Sequence, residues 1–409
     1  MLSLRVTFLF VACNILLRLK RLESINLSGN NFHKSIISCL TALPSLKILD
    51  LSLSSSLGSY FPVQAYASFR YLEVLDLSYN SFVGSAPSPI QALSSLRALS
   101  FTYNKLNASL PDHGLCELKN LIELDLSYNM MHGSLPQCFN NLSSLKLLGV
   151  SSNQFSGILV PSLIANLTSL EYIDFSHNTF KGSFSFSSFS NHSKLEVIRF
   201  LSNNENFEVE TKEPIGWIPM FQLQILKLSN CNMKMPPGLL LHQHKLRRID
   251  MSQNSLEGQF PNWLIKNNIN LELLNLTHNF FGSMPLYRNA NMRWLDMPGN
   301  HMIGIIPDSI PRFFPNMLHL NLYMNALSGV ISSSIGELSK LWILDLSGNE
   351  LSGEVPKGLF TNIPRLGFLK LSRNKLHGEV LSGNLRWGNI QGVYLDSNHF
   401  TGEIGIKSK

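Results

Sequence analysis

Apolar residues return along this chain in a fixed frame, clearest in Leu121-Ile-Glu-Leu-Asp-Leu-Ser-Tyr-Asn129-Met-Met-His-Gly133-Ser-Leu-Pro136. The frame reads L-x-x-L-x-L-S-x-N-x-x-x-G-x-x-P. Copies of it place the asparagine at Asn30, Asn80, Asn104, Asn129, Asn153, Asn178, Asn203, Asn254, Asn279, Asn300, Asn325, Asn349, Asn374 and Asn398. Two more keep the leucines but carry Ser54 and Cys231 at that point, which makes sixteen copies, mostly 24 or 25 residues apart. Within L-x-x-L-x-L the last leucines alternate with other residues, the period of a short strand. Leu121, Leu124 and Leu126 are therefore expected to point inward, and Glu123, Asp125 and Ser127 outward. One strand per copy, stacked side by side, predicts a parallel sheet with a turn at each asparagine. The asparagine amide offers donors and an acceptor to the turn, and losing such a buried partner costs about 1–3 kcal/mol. A cysteine there still fills space and donates weakly, so the ninth rung should be altered rather than broken.

Beyond the asparagine the pattern continues. Two residues on stands a Phe or Leu in most copies (Phe32, Phe82, Leu106, Phe155, Phe180, Leu256, Leu351, Leu376, Phe400), which predicts an apolar spine. Each of these side chains contributes roughly 1.5–3 kcal/mol when buried. Four residues on, a glycine recurs from Gly84 to Gly402, a sign of a turn needing positive φ or close backbone approach. A period in the twenties with this leucine spacing specifies a leucine-rich-repeat solenoid, an α/β repeat. The expected coil is right-handed and curved, with the sheet on its concave face and an irregular or 3-10 convex side. It should span residues 13–404 in about sixteen repeats.

The string LSGNELSGEVP (346–356) resembles the plant-type repeat, whose L-x-G-x-[IVL]-P segment adds a second short strand to each turn. LKLSNCNM (226–233) is similar to words found in one subgroup of plant receptor-like proteins. The resemblance implies a kinase-less extracellular domain. It would recognise a peptide, protein or glycan ligand and signal in defence or development through co-receptor kinases with similar repeats. The intact family member would sit on the outer side of the cell membrane, held by a segment absent from this chain; a mature chain of this length would instead be secreted. A rival reading is a secreted inhibitor of microbial wall-degrading enzymes, although those resemble ten-rung coils with capping cysteines at both ends. A third is a non-functional fragment.

Irregularities divide the coil. Residues 1–12 read as a short apolar leader or a truncated start, and Val6–Leu17 is too short for a membrane span. Residues 405–409 form a non-repeat tail without a cap, so the chain is expected to be truncated. Irregular loops are expected near 52–66 and 203–222. The second holds Glu205, Glu208, Glu210 and Glu213, and is expected to be a solvated acidic loop.

Composition excludes several classes. A net charge of +6 with only 15% charged residues, scattered and without a basic run, does not describe a nucleic-acid binder. No phosphate-cradling glycine loop, H-E-x-x-H or G-x-S-x-G occurs, and His242 and His244 lack a third ligand nearby. The recurring Asp76, Asp125, Asp174, Asp250, Asp296 and Asp345 occupy one consensus strand position rather than a catalytic array. No enzyme activity, metal or cofactor is expected. Six glycosylation sequons lie at Asn26, Asn107, Asn141, Asn166, Asn191 and Asn275, of which Asn26 and Asn275 should project from the concave sheet. Of five cysteines, Cys116 and Cys138 sit in adjacent rungs, either bridged or as two buried thiols.

Ligand-binding candidates are the outward residues that the frame does not require. Tyr79, Tyr103 and Tyr128 share one phase in three successive rungs, an aromatic column suited to anchoring a ligand. Arg199, Lys227, Arg247 and Arg248 gather over rungs eight to ten as a seat for carboxylate or sulfate groups. Trp294, Trp342, Phe368 and Tyr394 are further aromatic candidates.

Overall fold

The computed structural model describes residues 16, 18–54, 56–60, 63–85, 88–111, 113–380 and 389–402. The expected leader, the tail and part of the loop near 52–66 lie outside the described residues. The chain forms two compact units, residues 1–210 with 214–221, and residues 211–213 with 222–409.

In the first unit eight short strands run parallel in chain order, one per rung: Ser24–Asn26, Ile48–Asp50, Val74–Asp76, Ala98–Ser100, Glu123–Asp125, Leu147–Gly149, Tyr172–Asp174 and Val197–Leu201. Their register never slips, so Asp125 lies beside Gly149 and Gly149 beside Asp174. The second unit repeats this with Ile225–Ser229, Arg248–Asp250, Leu273–Asn275, Trp294–Asp296, His319–Asn321, Ile343–Asp345, Phe368–Lys370 and Gly392–Tyr394. Second strands follow most turns, as the plant-type segment implies. His132–Gly133, Gln154–Ile158, Thr179–Phe184 and Phe207–Val209 pair in the first unit, and five strands from Ile303–Ile305 to His399–Phe400 pair in the second. The return segments are short 3-10 or α turns, such as Gln137–Asn141 and Trp263–Asn267.

The core is the stacked frame itself: Leu121, Leu124 and Leu126 are fully buried, their equivalents in rungs two to fifteen are buried too, and those of the first and last rungs are half-buried. Beside it runs the asparagine ladder. Asn129 donates through Nδ2 to the carbonyls of Phe101, Leu126 and Ser127 at 2.9–3.2 Å, and its Oδ1 accepts from Leu106 N at 3.0 Å. One amide thus ties its own turn to the rung before it, which a leucine packing contact cannot do. Cys231 fills the asparagine position as expected, its Sγ 3.3 Å from the Ser229 carbonyl oxygen, while Asn254 supplies the acceptor for Cys231 N.

Three expectations need correction. Ser127 is buried, not outward, because the Asp125 carboxylate accepts from Ser127 N at 2.9 Å and curls the strand end inward. The same bond recurs from Asp50, Asp76, Asp174, Asp250 and Asp345, so the aspartate row caps turns. Asn203 is exposed and stands outside the ladder; Ser202 Oγ and Asn204 close that turn instead, at 3.0 Å. The acidic segment after it is not a wholly solvated loop either. Phe207 and Val209 are buried in a strand pairing with Gly182–Phe184, while the alternating Glu208 and Glu210 face water. Four glutamates hid a period-two pattern.

The phased glycines have a physical cause. At Gly353 φ is +80°, and a Cβ there would come within 2.9 Å of Val330 Cγ1 from the rung before. Ile305 lies over Gly329 in the same way, at 2.9 Å, and Ile158 over Gly182 at 3.4 Å.

Candidate functional site

Outward residues of the main sheet fall in two places, on the strand and at the turn just before the asparagine. The turn position carries φ between +51° and +58° in rung after rung, at Tyr79, Tyr103, Tyr128, Ser152 and His177 among others. A non-glycine residue in this left-handed region is uncommon, and here the bonded neighbours hold it: Tyr128 N donates to Ser151 O, and Asn129 N to Ser152 O. The side chain is thrown outward at the strand end, and neighbouring copies lie one rung apart.

Three tyrosines therefore form a stack. Tyr79 and Tyr103 have ring centroids 4.4 Å apart with planes 11° from parallel, and Tyr103 and Tyr128 lie at 4.0 Å and 8°. All three are exposed, between 39% and 49%. The sequence placed them in a column; it could not show that the rings lie face to face. Hydrogen bonding to the Tyr128 hydroxyl, with partial loss of water, pushes the Tyr103 phenol up to about 12 from 10.0. The fold thus favours the neutral phenol. Its stabilising contribution should be complete below pH 10.0 and disappear as pH rises through about 12. An alkaline titration followed by phenolate absorbance should show this late component, and Tyr128→Phe should move it back toward the ordinary range. A single ordinary tyrosine step in the unmodified chain would contradict the stack.

The basic candidates fare differently from one another. In the first unit, Arg199 Nη1 donates to the Tyr172 hydroxyl at 3.2 Å and lies 3.7 Å from Asp174 Oδ2, with the guanidinium 5.3 Å from the Tyr172 ring centre. Burial, then the Asp174 charge, push the Tyr172 phenol above its usual range. In the second unit Arg247 is held by Glu272 at 2.6 Å, and that bond lowers the Glu272 carboxyl. Arg248 is exposed, and Lys227 is half-buried beside Asp250. Two of the four cations are therefore already engaged.

In the second unit the aromatic candidates line the same sheet face. Trp294 stacks on His319 at 4.0 Å and 7°, and both reach Asp296, the indole N–H donating to Oδ2 and His319 Nε2 lying 2.8 Å from Oδ1. Trp342 meets Phe368 edge-on at 6.0 Å, and Tyr394 lies 5.9 Å from Lys370 Nζ, which is itself 3.3 Å from Asp345. His319 and Tyr172 escaped the sequence reading. Their signal was present, since each occupies the first strand position that Trp294 also holds.

Of the sequon asparagines, Asn26, Asn107, Asn141, Asn166 and Asn191 are exposed and Asn275 is half-buried. Asn26 and Asn275 take the turn-capping position of the aspartates: Asn26 Oδ1 accepts from Ser28 N and Oγ, and Asn275 Oδ1 from Thr277 N and Oγ1. The Ser or Thr of each sequon is thus also a turn residue. Cys116 and Cys138 form a disulfide with Cα atoms 5.6 Å apart. Cys39 is also disulfide-bonded. Among the described residues no helix is long and apolar enough to cross a membrane, and no group of His, Cys, Asp and Glu gathers to hold a metal ion.

The profile of the family described as leucine-rich repeat region matches residues 58–286, and that of the leucine rich repeat matches 21–43 and 340–362. The chain is 38% identical over 249 residues to Receptor-like protein 15 of Arabidopsis thaliana, covering 54% of this chain and 23% of that protein. It is 39% identical over 326 residues to Receptor-like protein 9b of the same plant, covering 79% and 34%. The matched stretch spans between 14% and 34% of the length of such relatives. The solved structure of the plant peptide hormone receptor RGFR1 in complex with RGF2 superposes with a TM-score of 0.70 at 23% identity, over 93% of this chain and 63% of that one. The chain belongs to the leucine-rich-repeat family and is similar to plant receptor-like proteins.

Proposed function

We propose that this chain is part of the extracellular repeat domain of a plant receptor-like protein. It takes a peptide or protein ligand on the exposed face of its main sheets and acts through partner kinases that carry similar repeats. The observation that carries this is the stacked, exposed tyrosine column. The repeat frame needs nothing at that position, since Gly, Ser, Gln and Met serve there in other rungs. Large rigid aromatics that the fold does not require are what a recognition surface uses. The receptor in the RGFR1 structure is in complex with a peptide hormone. The disulfides and exposed sequons suit an oxidising, secretory route. Membrane attachment on the outer cell face belongs to the same proposal.

The test is affinity selection of peptides from plant apoplastic fluid by the secreted chain, identified by mass spectrometry and resynthesised. A true ligand should bind at least about tenfold more weakly when Tyr79, Tyr103 and Tyr128 are changed together to alanine, the loss expected of an interface anchor. Undiminished binding by that variant and by sheet-face variants of the second unit, such as Trp294→Ala, would refute the reading.

A further inference from the structure

The tyrosine stack stops at rung six, and what replaces it is a notch. Rung six carries Gly149 where rungs five and seven carry Asp125 and Asp174, and Ser152 where rung five carries Tyr128 and rung seven His177. The backbone does not change: Tyr128, Ser152 and His177 share φ of +57°, +54° and +55°, and Asn129 N to Ser152 O and Asn153 N to His177 O join the rungs at 3.0 and 3.2 Å. Only the side chains are missing. The outer face of Tyr128 therefore carries no stacked ring, and the next large side chain at that position lies two rungs away, about 9.6 Å at ordinary strand spacing. From Gly149, where the strand ends, to Ser152 the notch runs three residues, at most about 10 Å.

Its charge is as specific as its size. The Asp125 carboxylate leans into the space over Gly149, where an added Cβ would lie 2.7 Å from Asp125 Oδ1. That oxygen accepts from Ser127 N, but no described cation pairs with this carboxylate. Asp174 across the notch is already engaged by Tyr172, Ser176 and Arg199. One wall is thus an open aromatic face, and the floor at one end holds an acid without a counterion.

We propose that the rung-six notch receives an arginine side chain of a peptide ligand, its stem against the Tyr128 ring and its guanidinium on Asp125 over Gly149. An extended arginine matches the length of the notch. Guanidinium pairs with a carboxylate through parallel N–H donors and lies against aromatic faces while losing less hydration than an ammonium. Lysine satisfies the charge but not the flat contact. This inference rests on the proposal that the sheet face binds a peptide, and it adds the chemistry read at one rung.

The secreted 409-residue chain is panned against a displayed library of random heptapeptides. Enriched peptides should share an arginine at a fixed place. Citrulline at that place should weaken binding at least about tenfold, a loss in line with removal of one partner of a close charge pair, and lysine should weaken it less. Asp125→Asn and Ser152→Tyr should give the same loss. The second variant fills the notch with a residue that adopts this backbone in three neighbouring rungs, so it should fold, as circular dichroism will check. Enriched peptides without arginine that still lose binding when Tyr103 or Trp294 is replaced would overturn the notch assignment and leave the sheet-face proposal standing. Arginine peptides indifferent to both notch variants would overturn it equally. No enrichment, or binding indifferent to every sheet-face change, would overturn both.

Discussion

Replacing Asn178 with alanine should destabilise the first unit by about 3 kcal/mol, more than an ordinary surface change several times over. Asn178 is 2% exposed. Its Nδ2 donates to the carbonyls of Val150, Phe175 and Ser176 at 2.9–3.2 Å, and its Oδ1 accepts from Phe155 N at 3.0 Å. Alanine removes all four bonds and leaves the buried backbone groups without that partner. Each such group costs about 1–3 kcal/mol, and partial relaxation keeps the total below the sum. Because each rung contacts only its neighbours, the damage should stay local. Hydrogen exchange should accelerate across rungs six to eight and remain unchanged at rungs two and three. A uniform loss of protection, or a stability within about 0.5 kcal/mol of the parent chain, would contradict the ladder account.

Phe200→Ala should cost about 3–5 kcal/mol, the range for emptying a large aromatic from a core. Phe200 is 2% exposed and sits among Phe175, Phe184 and Phe207, with ring centroids at 5.3, 4.8 and 5.8 Å. This is rung eight, where Asn203 leaves the ladder, so packing there carries what hydrogen bonds carry elsewhere. Denaturant unfolding should show an earlier midpoint for the transition containing rungs seven and eight, and Phe200→Leu should recover most of it. Equal losses for alanine and leucine would show that ring contacts, not volume, dominate.

The strands, their order and their register were legible because one frame repeats with almost constant spacing, and every copy constrains the others. The departures were harder to read for physical reasons. Ser127 looked outward by period two, but the Asp125 cap ends the strand before it, and periodicity cannot see a side chain bonding to backbone two residues on. Phe207 and Val209 were masked by the glutamates between them, though the alternation Phe-Glu-Val-Glu was itself a strand signal. At the candidate site, the phase of Tyr79, Tyr103 and Tyr128 was visible from the repeat, while their stacking depends on a left-handed backbone that no residue type announced. The basic cluster was read from positions alone. Arg199 and Arg247 proved to be committed to Asp174 and Glu272, partners that one aligned strand position cannot reveal. Glycine and serine at rung six passed unnoticed because absence of a side chain leaves no pattern to count.

The central claim is that ligand recognition belongs to the exposed main-sheet face. Hydrogen-exchange mass spectrometry of the secreted chain with and without a selected peptide tests it most directly. The account predicts ligand-dependent protection at the strand ends and turns carrying Tyr79, Tyr103 and Tyr128, with the return turns such as Gln137–Asn141 and Pro161–Leu163 unchanged. Protection confined to those return turns or to the second strands, with the tyrosine turns unaffected, would contradict it.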